Sequence, residues 1–140
     1  MNCPECGAPD NLCQTRFDEF LVLEFTDPAY GMVHNLTVAT YMLQHSSKMT
    51  REGWLYERGL LRDFIVERKS PAVIRKQIKD NVDSGKRTFK FKSKTAVPVI
   101  NKSIWTKTIL DVRTENAVVY CEDIQAWARS ALEEAEAIAI

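Results

Sequence analysis

The chain has 140 residues, 45% of them hydrophobic and 27% charged, and its 19 basic residues balance 19 acidic ones. That length predicts one domain, residues 1–140, with a core large enough to fold on. The charge balance excludes a global pull toward nucleic acid or anionic membrane. No apolar run approaches the length of a membrane span, and no basic, then apolar, leader opens the chain. A cytoplasmic location follows as the default, and there four cysteines point to thiols or metal ligation ahead of disulfides.

Residues 1–13 form a turn-rich lead punctuated by Pro4, Gly7, Pro9 and Asp10, with no periodic pattern. In Cys3-Pro4-Glu5-Cys6-Gly7 the glycine can take a positive φ, which lets the backbone curl around a metal-bound sulfur. Residues 14–45 read as a helical hairpin. Phe17, Phe20, Leu21 and Glu24 share the spacing of one helix face over 14–26. Asp27-Pro28 stops that helix, because a residue before proline avoids the α region. A second helix runs to about Gln44 with Val33, Leu36, Val38, Tyr41 and Met42 as its apolar positions. The short link makes the two helices antiparallel neighbours.

Residues 46–140 are expected to be mainly helical. A third helix covers 50–68 through Trp54, Leu55, Leu61, Phe64 and Ile65, with Gly53 and Gly59 as weak points. Ser70-Pro71 starts a fourth as N-cap and first-turn proline, and it ends near Ser84-Gly85. Residues 86–107 are a basic irregular segment. Within it Thr88-Phe89-Lys90-Phe91-Lys92 alternates with period two, as an extended chain does, and no partner strand is evident. Thr108 with Asp111 predicts a capped short helix over 109–115. The last helix covers about 120–137 on a stripe of Ile124, Trp127, Ala128, Ala131, Leu132 and Ala135. Charge is uneven along this half: residues 75–107 carry ten Lys/Arg against two Asp/Glu, and residues 108–140 carry two against seven. The predicted architecture is mostly α: about five to six helices, with an N-terminal zinc knuckle stapling a helical hairpin.

Structural zinc wants four thiolate or imidazole donors in a tetrahedron. Cys3 and Cys6 have the spacing of one knuckle, and Cys13 is the third donor. The fourth comes from His34, His45 or Cys121. If both histidines lie on one helix they are about 16 Å apart along its axis, so they cannot share an ion. In an antiparallel hairpin the start of the first helix lies level with the end of the second. Cys13 therefore meets His45, and His34 meets Glu24. The predicted ligand set is Cys3, Cys6, Cys13 and His45, with zinc as a structural cofactor and Glu24–His34 as a separate polar pair. Cys121 reads as a buried small apolar residue. A redox role for Cys3 and Cys6 needs a thioredoxin-like βαβ context, which the sequence lacks.

These residues carry a family resemblance. The run Cys3-Pro4-x-Cys6-Gly7-Ala8, Cys13, Leu23-Glu24-Phe25-x-Asp27-Pro28-Ala29-Tyr30-Gly31-x-Val33-His34, Leu36-Thr37-Val38-x-x-Tyr41 and Gln44-His45 resembles the bacterial family DUF5946. The likeness is closest over residues 3–45 and looser beyond. It implies that the three cysteines and both histidines belong to the family's motif, and it implies no activity. The chain departs from the family in a shorter Cys6–Cys13 link and in ending Glu133-Glu134-Ala135-Glu136, without a Trp- and His-rich terminus.

Three functions compete. A zinc-stapled helical module that binds a protein partner, forms a homo-oligomer or regulates another protein ranks first, since no nucleophile–base motif is present. A metal enzyme ranks second: with three protein ligands, an open position would hold a reactive water, and Glu24 and His34 would stand nearby. Nucleic-acid binding ranks third, through Lys86, Arg87, Phe89, Lys90, Phe91 and Lys92, which interleave charge for phosphates with rings for bases.

Overall fold

A computed structural model describes residues 1–83 and 90–140. Among these residues lie six α-helices: α1 (Leu12–Thr26), α2 (Pro28–Gly31), α3 (His34–Gln44), α4 (Arg51–Ile65), α5 (Pro71–Asp83) and α6 (Ala117–Glu136). Single 3-10 turns occupy Pro9–Asn11, Ser46–Lys48 and Ile109–Asp111. No helix among the described residues is long and apolar enough to cross a membrane. The mostly helical class read from the periodicity is the observed one.

Local chemistry sets most helix ends. Asp27 is extended, with φ −131° and ψ 111°, and its side chain accepts from the Ala29 N–H. It thus stops α1 ahead of the proline and caps the next turn. Thr50, Ser70 and Asn116 cap α4, α5 and α6, accepting from the N–H groups of Gly53, Val73 and Val119 at 3.0, 3.2 and 2.9 Å. Thr108 and Asp111 form the reciprocal capping box, but the helix expected over 109–115 is only one 3-10 turn. The chain leaves it at Val112, which is 1% exposed and whose carbonyl accepts from Arg16 Nη2 at 2.9 Å. Burial of that side chain and the bond from α1 hold it extended, and both would be lost in a continuing helix.

The hairpin expectation understates α3. This helix packs chiefly against α4 and α6, and less extensively against α1 and α5. Seven of its residues are buried, among them Leu36, Ala39, Tyr41 and Leu43. Two tryptophans tie its C-terminal end to the rest of the core. Trp54 on α4 donates from Nε1 to the Leu43 carbonyl at 3.1 Å, and Trp127 on α6 donates to Gln44 Oε1 at 3.0 Å. Gln44 Nε2 in turn donates to the Lys107 carbonyl at 2.8 Å. Both indoles are fully buried, so each needed a partner for its N–H.

The described part of the alternating segment does find a partner. Lys92 forms an isolated antiparallel bridge with Met49, in the connection between α3 and α4. Thr50 N–H donates to the Phe91 carbonyl at 2.7 Å, and Ser93 N–H donates to the Lys48 carbonyl at 3.2 Å. Gly53 permits this approach, since a Cβ there would stand 2.9 Å from the Phe91 oxygen. The end of the fourth predicted helix at Ser84-Gly85, together with Lys86, Arg87, Thr88 and Phe89, lies outside the described residues.

Candidate metal centre

The knuckle is a tight reversal. Cys3 N–H donates to the Ala8 carbonyl and Gly7 N–H to the Cys3 carbonyl, both at 2.8 Å, with Gly7 at φ +82°. Cys13 sits in the first turn of α1, and His45 follows the last residue of α3. The donor atoms of Cys3, Cys6, Cys13 and His45 all lie within 4.8 Å of one another. All four residues are buried, from 7% exposed at Cys3 down to 2% at Cys13 and His45. Zn–S bonds of about 2.3 Å in a tetrahedron place sulfurs about 3.8 Å apart, so a small contraction would close this cluster on an ion.

The imidazole carries the sharper signal. His45 Nδ1 stands 2.8 Å from the Tyr41 carbonyl. A carbonyl only accepts, so Nδ1 carries the proton and Nε2 presents its lone pair. That Nε2 is the one buried side-chain nitrogen or oxygen among the described residues with no hydrogen-bond partner. Burial keeps the imidazole below its ordinary pKa, in the neutral form that a ligand needs. Orientation of a ligating histidine through its other nitrogen is the usual outer support of a metal site. The residues therefore fit a metal ion.

The sequence profile of DUF5946, a family of unknown function, matches residues 1–136. The chain belongs to DUF5946. The match takes in α6, so the family likeness is not confined to the cysteine-bearing start. No curated protein and no solved structure matches the chain.

The thiols of this DUF5946 chain differ in their surroundings. Burial opposes ionisation of Cys3, but the N–H groups of Glu5 and Cys6 together with hydrogen bonds from the Cys6 and Cys13 thiols outweigh it, and the thiol falls below its ordinary value. Burial pushes Cys6 and Cys13 up. Neighbouring thiolates add to that rise, which is the repulsion a shared cation removes.

A further layer holds the cluster, and no motif in the sequence marked it. Glu5 accepts from Ser47 N–H at 2.8 Å and from Ser47 Oγ at 2.7 Å, and its carbonyl accepts from Trp105 Nε1 at 3.0 Å. Ser46 Oγ accepts from the N–H groups of Val99 and Ile100 at 3.0 and 3.3 Å. The knuckle, the end of α3 and residues 99–105 are thereby one hydrogen-bonded unit. Glu5 is the unspecified position of a Cys-Pro-x-Cys turn and Trp105 lies in an aperiodic stretch, so periodicity had nothing to say about either.

Glu24 and His34 meet at the other end of α1 and α3. His34 Nδ1 lies 2.8 Å from Glu24 Oε1, while Thr37 Oγ1 and Tyr120 OH donate to Oε2 at 2.6 and 2.5 Å. The Glu24 side chain is 0% exposed and that of His34 is 31% exposed. Tyr120 completes this cluster from α6 and escaped the sequence reading. Burial, then the hydrogen bond to Glu24 and its charge, pushes its phenol up. Cys121 stands apart from the metal cluster and is half-buried where burial was expected, because its thiol lies near the surface, 3.4 Å from the Ala29 carbonyl. Of the basic–aromatic residues that are described, Lys90 and Lys92 are exposed, and half-buried Phe91 packs against the Tyr56 ring at 5.1 Å.

Proposed function

We propose that Cys3, Cys6, Cys13 and His45 hold one zinc ion, and that the chain is a non-enzymatic binding or regulatory module built on that staple. The observation that carries this reading is the buried, unpartnered Nε2 of His45 beside three buried thiols. Three thiolates and one imidazole suit zinc, which accepts tetrahedral sulfur and nitrogen without redox change. When bound, the ion neutralises the thiolates and ties the N-terminal lead to the start of α1 and the end of α3. Four protein donors fill the four positions, which supports a structural role over activation of water. Glu24 and His34 offer that chemistry little help: His34 opens α3 and His45 follows its end, about 16 Å along the axis.

Metal analysis of protein purified without chelator, joined to X-ray absorption at the zinc edge, tests the reading. About one zinc per chain with three sulfurs and one nitrogen is expected. A first shell containing a water oxygen would move the reading to the metal-enzyme alternative. Absence of metal, with no gain in thermal stability on adding zinc, would overturn it.

A further inference from the structure

Among the described residues the acidic tail meets the basic segment at Lys102 and leaves its earlier lysines unpaired. Glu134 is spent on Thr106 and on Lys102, whose Nζ lies 4.0 Å away, and Glu136 is spent on Arg62 at 2.5 Å. Lys48, Lys90, Lys92 and Lys94 are exposed. Among the described residues none of these four has an ion pair or a side-chain hydrogen bond. From Ser84 to Leu110 the sequence contains no acidic residue at all. Glu52 is the nearest acid in sequence to Lys48, and it forms no ion pair with these lysines.

The lysines are also ordered. Exposure alternates along the segment: Lys90, Lys92 and Lys94 are exposed, whereas Phe91 and Ser93 between them are half-buried. Phe91 turns in against Tyr56, and Ser93 N–H is fixed to the Lys48 carbonyl. The bridge between Lys92 and Met49 brings Lys48 to the same ribbon. That ribbon is seated on residues 46–50, which directly follow His45.

We propose that Lys48, Lys90, Lys92 and Lys94 bind the phosphate backbone of a nucleic acid. A protein interface needs a desolvated anchor, with aromatic residues enriched at its core and lysine depleted. Among the described residues of this ribbon Phe91 is turned against Tyr56, and the exposed side chains include Lys90, Lys92 and Lys94. Release of counterions from phosphate requires only closely spaced cations. Phosphate contacts carry no base sequence, so recognition through these lysines is independent of it. The proposal names a partner class for the binding role above and rests on that role, though on none of the metal ligands.

The test is fluorescence anisotropy of the zinc-loaded full chain with a labelled mixed-sequence DNA duplex and a labelled single-stranded RNA, across a salt series. Four phosphate contacts predict a slope of log K against log salt of about −3.6 on the duplex and about −2.8 on the single strand. The triple variant Lys90→Gln, Lys92→Gln, Lys94→Gln should bind at least ~tenfold more weakly at low salt and lose about 2.7 units of slope on the duplex and about 2.1 on the single strand. Lys76→Gln, at a lysine facing Asp80, should bind as the parent does. Metal content is measured on every sample, so loss of zinc and loss of nucleic-acid binding are read separately. No binding by the zinc-loaded parent, a triple variant with unchanged affinity and slope, or binding of polyglutamate in place of DNA and RNA would each overturn the proposal.

Discussion

Tyr41 holds His45 in two ways at once. Its carbonyl fixes Nδ1 at 2.8 Å, and its ring stacks on the imidazole with centroids 4.0 Å apart. Phe17 covers the other face of the tyrosine, also at 4.0 Å and within 4° of parallel. A side chain from α1 and one from α3 thus aim the imidazole at three thiols before any ion arrives. Such preorganisation limits what binding must spend on ordering the donor.

His45→Ala removes the nitrogen donor and leaves three thiols. Zinc content should fall well below that of the parent. Adding a chelator should lower the melting temperature of the parent by several degrees and that of the variant by much less. A thermal-shift assay with and without chelator makes the comparison, and equal shifts in both would contradict the proposed ligand.

Tyr120→Phe probes the opposite end. The change removes one of three donors to a carboxylate with no exposed surface. Hydrogen bonds to charged groups contribute about 1.5–3 kcal/mol, and urea unfolding should show a loss in that range. Zinc content should stay at the parent's level, since this cluster shares no side chain with the metal centre.

The two glycines of α4 should respond oppositely to alanine. At Gly59 a Cβ meets nothing within 4 Å, so Gly59→Ala should stabilise by about 0.5–1 kcal/mol. At Gly53 the same atom would stand 2.9 Å from the Phe91 oxygen and 3.0 Å from its Cα. Gly53→Ala should destabilise and loosen the lysine ribbon, which hydrogen exchange at Thr50 and Ser93 would report.

Glu57 makes a pH prediction. It lies on the inward stripe of α4 between Trp54 and Leu61, and burial pushes its carboxyl from 4.5 up to about 7. The folded state holds this proton more tightly than the unfolded state. Its cost to stability is therefore absent below about pH 4 and grows as pH rises toward and through 7. Glu57→Gln removes that cost and, allowing for partial exposure, should stabilise by about 2 kcal/mol at pH 8. The gain should vanish near pH 4. Melting temperatures of both proteins across that range decide it, and a constant difference would show that the carboxyl is not desolvated as described.

Features that depend on a few neighbouring residues were legible in the sequence. Asp27-Pro28, Ser70-Pro71 and Thr108 with Asp111 mark local backbone chemistry, and each does locally what its residue types require. Helical periodicity named the stripe of α6 and set His45 and His34 at opposite ends of one helix. The same local rules failed at Val112, where burial and a bond from Arg16 overrode the capped start.

What only the tertiary structure decided lies across long sequence separations. Lys92 needed Met49, Glu24 needed Tyr120, and Glu5 needed Ser47 and Trp105. Nothing near any of these residues encodes its partner. These pairings go with α3 lying chiefly against α4 and α6, which brings its two ends near distant segments. Spacing could nominate Cys3, Cys6, Cys13 and His45. The buried lone pair of His45, held toward the thiols by Tyr41, exists only once the chain has folded around it.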